Sequence, residues 1–197
     1  MPDSDEDKSK KPGESSGLME KLLESRTLVI SGQVDGELAQ KVLTQLVLLS
    51  HIDAGKGVTI LVNCPGGEVF SGFAIFDMIR FISCPVVTVV AGLAASMGSI
   101  IPLAAGKGHR YALPHSKFLI HQPLLMGYQG RATDLEIQAN EILKDRERIV
   151  QLYADITGKP AETVAKDIDR DKWMSAEQAL DYGLIDKIIT KREELGK

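Results

Sequence analysis

Three features are scarce in this sequence: cysteine, net charge and long uninterrupted apolar runs. Only two cysteines occur among 197 residues, Cys64 and Cys84, and no close-spaced pair indicates a metal site, so we expect a reducing, cytoplasmic setting and no metal. The formal net charge is −4 with both signs mixed along the chain, which argues against nucleic acid as the main partner. The longest apolar runs, within residues 85–106, are interrupted by serine, glycine and proline, which indicates a protein core and not a membrane span.

The first sixteen residues differ in composition from the rest of the chain. Met1 is their single apolar residue, so residues 1–16 cannot bury enough surface to offset the entropy of ordering, and we predict a disordered tail. The tail lacks the apolar stretch of a signal peptide. The hydrophobic fraction of 44% is that of an ordinary globular protein, and residues 17–197 are expected to form one domain.

Strands and helices are predicted to alternate along this domain. Predicted strands are 27–30, 58–62, 85–91, 110–115 and 117–120; predicted helices are 17–25, 37–50, 71–82 and 133 to about 157, with short helices after Pro160 and Ser175. Capping boxes are expected at 133–136 and 175–178. This order favours an α/β fold with right-handed crossovers and a mostly parallel sheet, whose functional sites lie beyond the carboxyl ends of the strands.

Ser96 lies where the third predicted strand ends and an apolar helical segment begins. Such a turn exposes a serine Oγ, and the unpaired N–H groups at the start of the helix can bind a developing oxyanion. Ala94 stands where the nucleophile elbow motif has its first glycine. The residues therefore allow two interpretations, a catalytic nucleophile or a simple helix cap.

Gly66 and Gly67 follow the second predicted strand directly. Adjacent glycines there allow positive φ and a close approach of another backbone, so they favour an oxyanion or substrate contact, although a plain turn remains an alternative. Because Ser96 also follows a strand, both sites are expected at the same edge of the sheet, which favours the catalytic interpretation.

His121 ends the last predicted strand and is a candidate general base for Ser96, because an imidazole titrates near ~6.5. His51, His109 and His115 are competing candidates. The charged run 167–172 is typical of a solvated loop, and nothing in its pattern selects one aspartate as a catalytic partner.

Five segments, in this order along the chain, resemble the ClpP protease family over about residues 17–190. They are 63–67, 92–99, 120–123, 130–134, and 169–171 with the following 174–176 and 182–186. The resemblance implies a crotonase-like (ClpP-type) α/β spiral fold with a projecting handle helix. It also implies a serine endopeptidase subunit of a barrel-shaped, self-compartmentalised protease that cleaves unfolded polypeptides delivered by an AAA+ unfoldase (a Clp ATPase), in protein quality control.

The resemblance assigns catalytic roles to five residues. It makes Ser96 the nucleophile, His121 the general base and Asp171 the orienting carboxylate. Gly67 and Met97 would supply the N–H groups of the oxyanion hole. No metal and no cofactor is implied.

The resemblance also implies partners. ClpP-like subunits would form a tetradecamer of two stacked seven-membered rings. The rings would meet along the helix that begins at residue 133, and Asp169 and Arg170 would pair between rings. Three departures from the family stand out: Cys64 replaces a serine, the segment 124–127 is bulkier than the usual Gly-Gly, and the N-terminus lacks the apolar strand and axial loop that contact the unfoldase. A second paralogue carrying that loop is therefore an expected partner in a hetero-oligomer.

Three other interpretations of the chain stay open at this point. Crotonase-type acyl-CoA hydratases and isomerases share the fold and often use a glutamate, but Ser96 and His121 in register argue against them. A non-catalytic ring subunit would lack a triad member, and all three are present. A mainly structural or regulatory ring subunit, paired with an axial-loop-bearing paralogue, is the remaining alternative.

Overall fold

The structure is a computed structural model that describes residues 12–124, 127 and 129–195. Within these residues the strands are β1 (Thr27–Ser31), β2 (Val58–Cys64), β3 (Val86–Ala95), β4 (Arg110–Ala112), β5 (Lys117–Ile120), β6 (Lys172–Ser175) and β7 (Lys187–Ile188). The helices are α1 (Pro12–Glu24), α2 (Gly36–Ile52), α3 (Val69–Phe81), α4 (Met97–Ile100), α5 (Ala132–Thr157), α6 (Ala161–Asp167) and α7 (Ala176–Tyr182), with 3₁₀ turns at Ile101–Ala105 and Arg192–Glu194.

The sheet confirms the predicted mostly parallel α/β arrangement. The order is β1-β2-β3-β4-β7, and these neighbours are all parallel. Strand β5 pairs in parallel with β3 and antiparallel with β6. The strand β6 was not predicted, because its first residue belongs to the charged run that is typical of a solvated loop. Residues 172–175 are nevertheless extended, because they pair with β5 along its whole length.

The main core lies between one face of the sheet and the helices. Alternate side chains of β2, such as Ile60 and Val62, are fully buried there against Leu46 of α2 and Ile75 of α3. Burying each such side chain contributes roughly 1.5–3 kcal/mol to folding, which explains why β-branched and leucine residues fix these elements. The opposite face carries only a small cluster, including Val89, that the C-terminal segment covers.

On the side away from β2, strand β3 changes partner along its length. Its residues 88–90 pair with β4, and its residues 93–95 pair with β5. The change of partner falls around Gly92, whose φ is +117°. As a result β3 is longer than predicted, and its carboxyl end lies beside β5.

Helix α5 is embedded at one end and exposed at the other. Ile149, Val150, Tyr153 and Ala154 are buried, whereas large apolar side chains in its first half are exposed, among them Ile137. At 1.5 Å per residue, roughly 25 Å of helix precedes the first buried residue. The structure thus contains the expected projecting helix. Its N-cap is Arg131, with Asp134 closing the box, so the predicted capping box at 133–136 is wrong. The box at Ser175 and Gln178 is confirmed.

Two predicted segments fall partly outside the described residues. Residues 12–16 of the expected tail belong to α1, which begins five residues before the predicted helix, and residues 1–11 lie outside the described residues. In the bulky segment 124–127, residues 125 and 126 also lie outside, as does residue 128. In the part of the chain that is described, every helix is too short or too polar to span a bilayer.

Candidate active site

The register of three neighbouring strands brings Ser96, His121 and Asp171 to one edge of the sheet. Ala95 pairs with Leu119 of β5, and the Ser96 N–H donates to the Leu119 carbonyl at 2.9 Å. Ile120 pairs with Lys172 of β6. Continuing both registers places His121 directly opposite Asp171 and one residue beyond the level of Ser96. Because paired strands lie about 4.8 Å apart, we expect His121 to lie near both Ser96 and Asp171.

Ser96 occupies a strained turn that does not use its side chain as a cap. Its φ of 54° and ψ of −126° are rare for a residue other than glycine, and strain of this kind costs about 1–3 kcal/mol and clusters at functional sites. No hydrogen bond joins its side chain to the N–H groups of α4, all of whose residues the structure describes. Ser96 is thus the N-cap residue of α4 by position, but its hydroxyl does not cap the helix and stays available for another role. Its carbonyl accepts from the N–H of Ser99 (2.9 Å) and from Ser99 Oγ (2.7 Å).

The backbone at Gly66 and Gly67 lies against the Ser96 turn. A Cβ added to Gly66, whose φ is +96°, would lie 2.6 Å from Ser96 Cβ and 2.7 Å from the Ala95 carbonyl oxygen. The Val34 N–H donates to the Gly66 carbonyl, and the Val34 carbonyl accepts from the Glu68 N–H, each at 2.8 Å. These two bonds form a parallel bridge between Val34 and Gly67. The Gly67 N–H between them therefore points away from Val34, toward the side of β2 on which β3 lies.

Met97 supplies a second amide at the same place. It is the first residue of α4 and is buried, and an N–H at this position has no carbonyl one turn earlier to accept it. Gly67 and Met97, to which the resemblance assigns an oxyanion hole, thus both lie beside the Ser96 turn.

His121 is the only one of the chain's four histidines that follows the carboxyl end of β5. It is half-buried. His115 precedes the amino end of the same strand, His109 precedes β4, and His51 lies in the last turn of α2. The register thus selects His121 from the four candidates. The strand register is what relates Ser96, His121 and Asp171 to one another. Hydrogen bonds within a catalytic group commonly tighten only when substrate binds.

Asp171 lies in an exposed loop that Gln122 attaches to the domain. The Gln122 N–H donates to the Ile168 carbonyl (2.6 Å), and its Nε2 donates to the Asp169 carbonyl (2.9 Å). Arg146 Nε of α5 in turn donates to Gln122 Oε1 (3.1 Å). The residue after the candidate base therefore fixes the loop that carries the candidate carboxylate.

A second set of contacts joins the two ends of this loop to each other. The Asp167 carboxylate accepts hydrogen bonds from Lys172 Nζ and from the Tyr182 hydroxyl. Burial is the largest single influence on the pKa of Asp167 and raises it, but these two bonds and the nearby lysine charges outweigh burial and leave the pKa below its ordinary value. Asp167 thus stays ionised and holds the start of β6 to the end of α6.

Asp169 and Arg170, expected to pair between rings, are both exposed. Arg170 contacts only its neighbour: its Nη1 donates to the Asp169 carbonyl (3.2 Å), and its Nε lies 3.9 Å from Asp169 Oδ2. Its side chain is 87% exposed. Both residues are therefore accessible to a partner.

Cys64 packs beneath the site. It is fully buried, and burial raises the pKa of its thiol, so it is a neutral packing residue. Its Sγ accepts from the Gly66 N–H (3.4 Å), and a Cβ at Gly98 would lie 2.5 Å from its carbonyl oxygen. Among the residues that the structure describes, no three His, Cys, Asp or Glu side chains are grouped so as to hold a metal ion.

Sequence analysis did not assign a role to four residues that surround the site: Ser99, Gln122, Arg146 and Tyr153. Gln122 and Ser99 lie in the quoted motifs, but no pattern reveals their long-range partners. Arg146 and Tyr153 belong to a helix whose spacing indicated only one apolar and one charged face.

Comparison with known proteins identifies one family. The family model described as Clp protease matches residues 9–192. The chain is 48% identical over 197 residues to the ATP-dependent Clp protease proteolytic subunit 1 of Protochlamydia amoebophila, covering 99% of this chain and 96% of that protein. It is 45% identical to the ATP-dependent Clp protease proteolytic subunit 2 of Treponema denticola, covering 98% and 96%. It is 44% identical to the ATP-dependent Clp protease proteolytic subunit of Porphyromonas gingivalis, covering 90% and 79%.

Proposed function

Because the chain belongs to the Clp protease family, we propose that it cleaves polypeptides with Ser96 as nucleophile, His121 as general base and Asp171 as orienting carboxylate. The membership confirms the expected crotonase-like (ClpP-type) α/β fold and the expected enzyme class, a serine peptidase. It does not favour a mainly structural role.

The proposed reaction follows from the chemistry of these groups. His121 takes the proton of Ser96 as Oγ attacks the scissile carbonyl, and it returns that proton to the leaving amine, which leaves an acyl-enzyme. Asp171 fixes the tautomer of His121 and stabilises the imidazolium. The N–H groups of Gly67 and Met97 bind the oxyanion, and losing one such donor costs roughly 10² to 10³ in rate. Water then attacks the acyl-enzyme with His121 again as base.

One observation supports this assignment most strongly, the hydrogen bond from the Ser96 N–H to the Leu119 carbonyl. It supports the register of β3 against β5 that would bring His121 close to Ser96. The pairing of Ile120 with Lys172 extends the same register to Asp171.

The proposal extends to assembly into rings that work with a Clp ATPase, of the kind the family implies. Exposed apolar side chains on the first half of α5, Leu135, Ile137 and Leu143, support a subunit contact there. The exposed pair Asp169 and Arg170 would join the rings. We propose two stacked seven-membered rings in the cytoplasm, with unfolded polypeptides as substrates.

The N-terminal segment leads to the proposal of a second paralogue. We propose that residues 1–16 are a tail attached to the peptidase domain 17–197. The family match begins within that tail, at residue 9. A related subunit with an apolar axial loop would then dock the unfoldase. Rapid ATP-dependent degradation of a tagged folded protein by this subunit and an unfoldase alone would contradict the need for a paralogue.

Labelling with a fluorophosphonate tests the site. We expect the label on Ser96, and Ser96→Ala should abolish labelling and lower peptide hydrolysis by at least about 10⁴-fold with assembly intact. His121→Gln should remove the same activity, because no base is left to take the Ser96 proton. Ser116→Ala is the matched control, since Ser116 is a buried serine bonded to the Val90 carbonyl (2.8 Å). Full activity in Ser96→Ala would overturn the assignment.

Removing Arg170 tests the assembly. Arg170→Ala should shift particles from double to single rings in sedimentation velocity and lower peptide hydrolysis in parallel, because Asp171 is the next residue. A fully active single ring would contradict this coupling.

A further inference from the structure

We propose that Ser99 and Tyr153 are positioning residues that aim the Met97 N–H into the oxyanion hole. The proposal rests on the proposed function, because it assigns these residues to the same site. Neither residue would touch the substrate: Ser99 acts through the Ser96 carbonyl, and Tyr153 acts through Ser99.

A chain of two hydrogen bonds links helix α5 to the nucleophile turn. Ser99 Oγ lies 2.7 Å from the Ser96 carbonyl oxygen, and the Tyr153 hydroxyl lies 2.8 Å from Ser99 Oγ. A carbonyl can only accept, so the single hydroxyl hydrogen of Ser99 is directed to Ser96. Tyr153 is therefore the donor to Ser99.

The consequence reaches the oxyanion hole through the planarity of one peptide group. The Ser96 carbonyl and the Met97 N–H belong to the same trans peptide unit, in which they point in opposite directions. Ser99 holds this carbonyl with both its N–H (2.9 Å) and its hydroxyl. Any rotation that weakens these two bonds also turns the Met97 N–H away from its acceptor.

Burial makes the arrangement rigid. Ser99 and Tyr153 are each 1% exposed, so water cannot replace either bond. Burial also raises the pKa of Tyr153, which keeps its hydroxyl protonated as a donor wherever His121 could work as a base.

A purely local role for Ser99 is the competing explanation, because serine hydroxyls often bond to a carbonyl one turn earlier. Two observations indicate that Ser99 also positions the peptide group between Ser96 and Met97. The accepting carbonyl belongs to the strained residue Ser96, whose turn must be held against relaxation. The second partner comes from α5, 54 residues away along the chain, so the arrangement is not produced by local geometry alone.

The test compares two variants with matched controls in the assembly that hydrolyses peptides. Ser99→Ala and Tyr153→Phe remove one hydroxyl each. Their controls are Ser116→Ala and Tyr111→Phe, which remove buried hydroxyls bonded to the Val90 carbonyl (2.8 Å) and the Gly108 carbonyl (2.9 Å) away from the turn. Folding and assembly of each variant are followed by thermal unfolding and sedimentation.

We expect Ser99→Ala to lower kcat by roughly 10- to 100-fold, less than the loss of the donor itself, with KM nearly unchanged. Tyr153→Phe should lower kcat by roughly threefold to tenfold. Affinity for a peptide boronate, whose tetrahedral adduct fills the oxyanion hole, should fall by the same factor as kcat, and both controls should behave as wild type.

A different pattern would overturn the proposal. Unchanged kcat and boronate affinity in both variants would do so, as would a fall in kcat that follows only the loss of assembled particles. A purely structural role would lower thermal stability without changing boronate affinity per assembled site. If the wild type itself failed to react with fluorophosphonate, the proposed function would fall instead, so the two failures are distinguishable.

Discussion

The two halves of the candidate active site are held in different ways. The turn that carries Ser96 is enclosed by the core: Met97, Ser99 and Cys64 are buried, and the backbone of Gly66 leaves no room for a side chain. The loop that carries Asp171 is exposed, and side chains such as Gln122 hold it at its edges. Ser96 is therefore positioned by packing, and Asp171 by a few polar contacts.

This difference indicates which half can respond to the surroundings. Close packing transmits any change of volume and permits few alternatives. An exposed hydrogen bond contributes only about 0.5–1.5 kcal/mol, so a partner that touches the Asp171 loop can rearrange it at small cost. A partner at this loop would therefore act on Asp171 and leave the Ser96 turn unchanged.

The largest expected effect comes from placing a side chain inside the packed half. Gly66→Ala should lower peptide hydrolysis by more than roughly 10²-fold, because the new Cβ meets Ser96 Cβ at 2.6 Å and must displace the turn. Gly32→Ala is the matched control, since Gly32 has a similar φ of +93° and no atom within 4 Å of the added Cβ.

The control Gly32→Ala should lower the free energy of unfolding by only about 1–2 kcal/mol, because alanine is strained at positive φ. Gly66→Ala should lose a further 1–3 kcal/mol or so of unfolding free energy from the steric overlap. Chemical denaturation of both variants measures the difference. Equal stability and equal activity in the two would contradict the rigid packing of the Ser96 turn.

An intermediate effect is expected from releasing the exposed half. Gln122→Ala removes the bonds to Asp169 and from Arg146 and should lower kcat by roughly 10- to 100-fold through misplacement of Asp171. Its unfolding free energy should fall by only about 1 kcal/mol. Gln151→Ala is the control. Gln151 lies on the exposed side of α5, where it donates to Asp155 (2.6 Å). A kcat equal to that of the control would show that Gln122 does not position the loop.

The smallest expected effect concerns stability and pH. Because the folded state lowers the pKa of Asp167, its carboxylate stabilises the fold above its ordinary pKa of 3.8, and this contribution disappears as the pH falls through the lower folded-state pKa. Asp167→Asn should therefore cost about 1–2 kcal/mol at neutral pH, a value reduced by partial exposure of the pair.

The difference between wild type and Asp167→Asn should shrink in strong acid. Denaturation curves at neutral pH and below pH ~3 measure this change. A gap that stayed constant with pH would mean that the Asp167 charge does not hold the loop.

The packed half is also the half that could be predicted from the sequence. Apolar periodicity indicated the helices and β-branched runs indicated the central strands, so the Ser96 turn followed from the strand before it and the small residues beside it. The exposed half was predicted only by family resemblance. The charges of 167–172 indicated a loop because charged residues are usually solvated, whereas Lys172 begins a strand that pairs with Ile120.

Two other differences have a similar cause. The predicted cap of α5 was wrong because Thr133 and Glu136 fit the local pattern, but Arg131 and Asp134 close the box in the structure. Strand β3 continues past its predicted end because pairing with β5 overrides the weak strand preference of its glycine and alanines. Local sequence does not contain the register between distant strands.

The pairing of β5 with β6 also sets the order in which the site is completed during synthesis. Asp169 in the loop held by Gln122 lies 47 residues further along the chain, and synthesis proceeds from the N-terminus. A nascent chain that ends before residue 171 therefore carries Ser96 and His121 without Asp171. The three residues of the candidate site are therefore present together only once synthesis has reached residue 171.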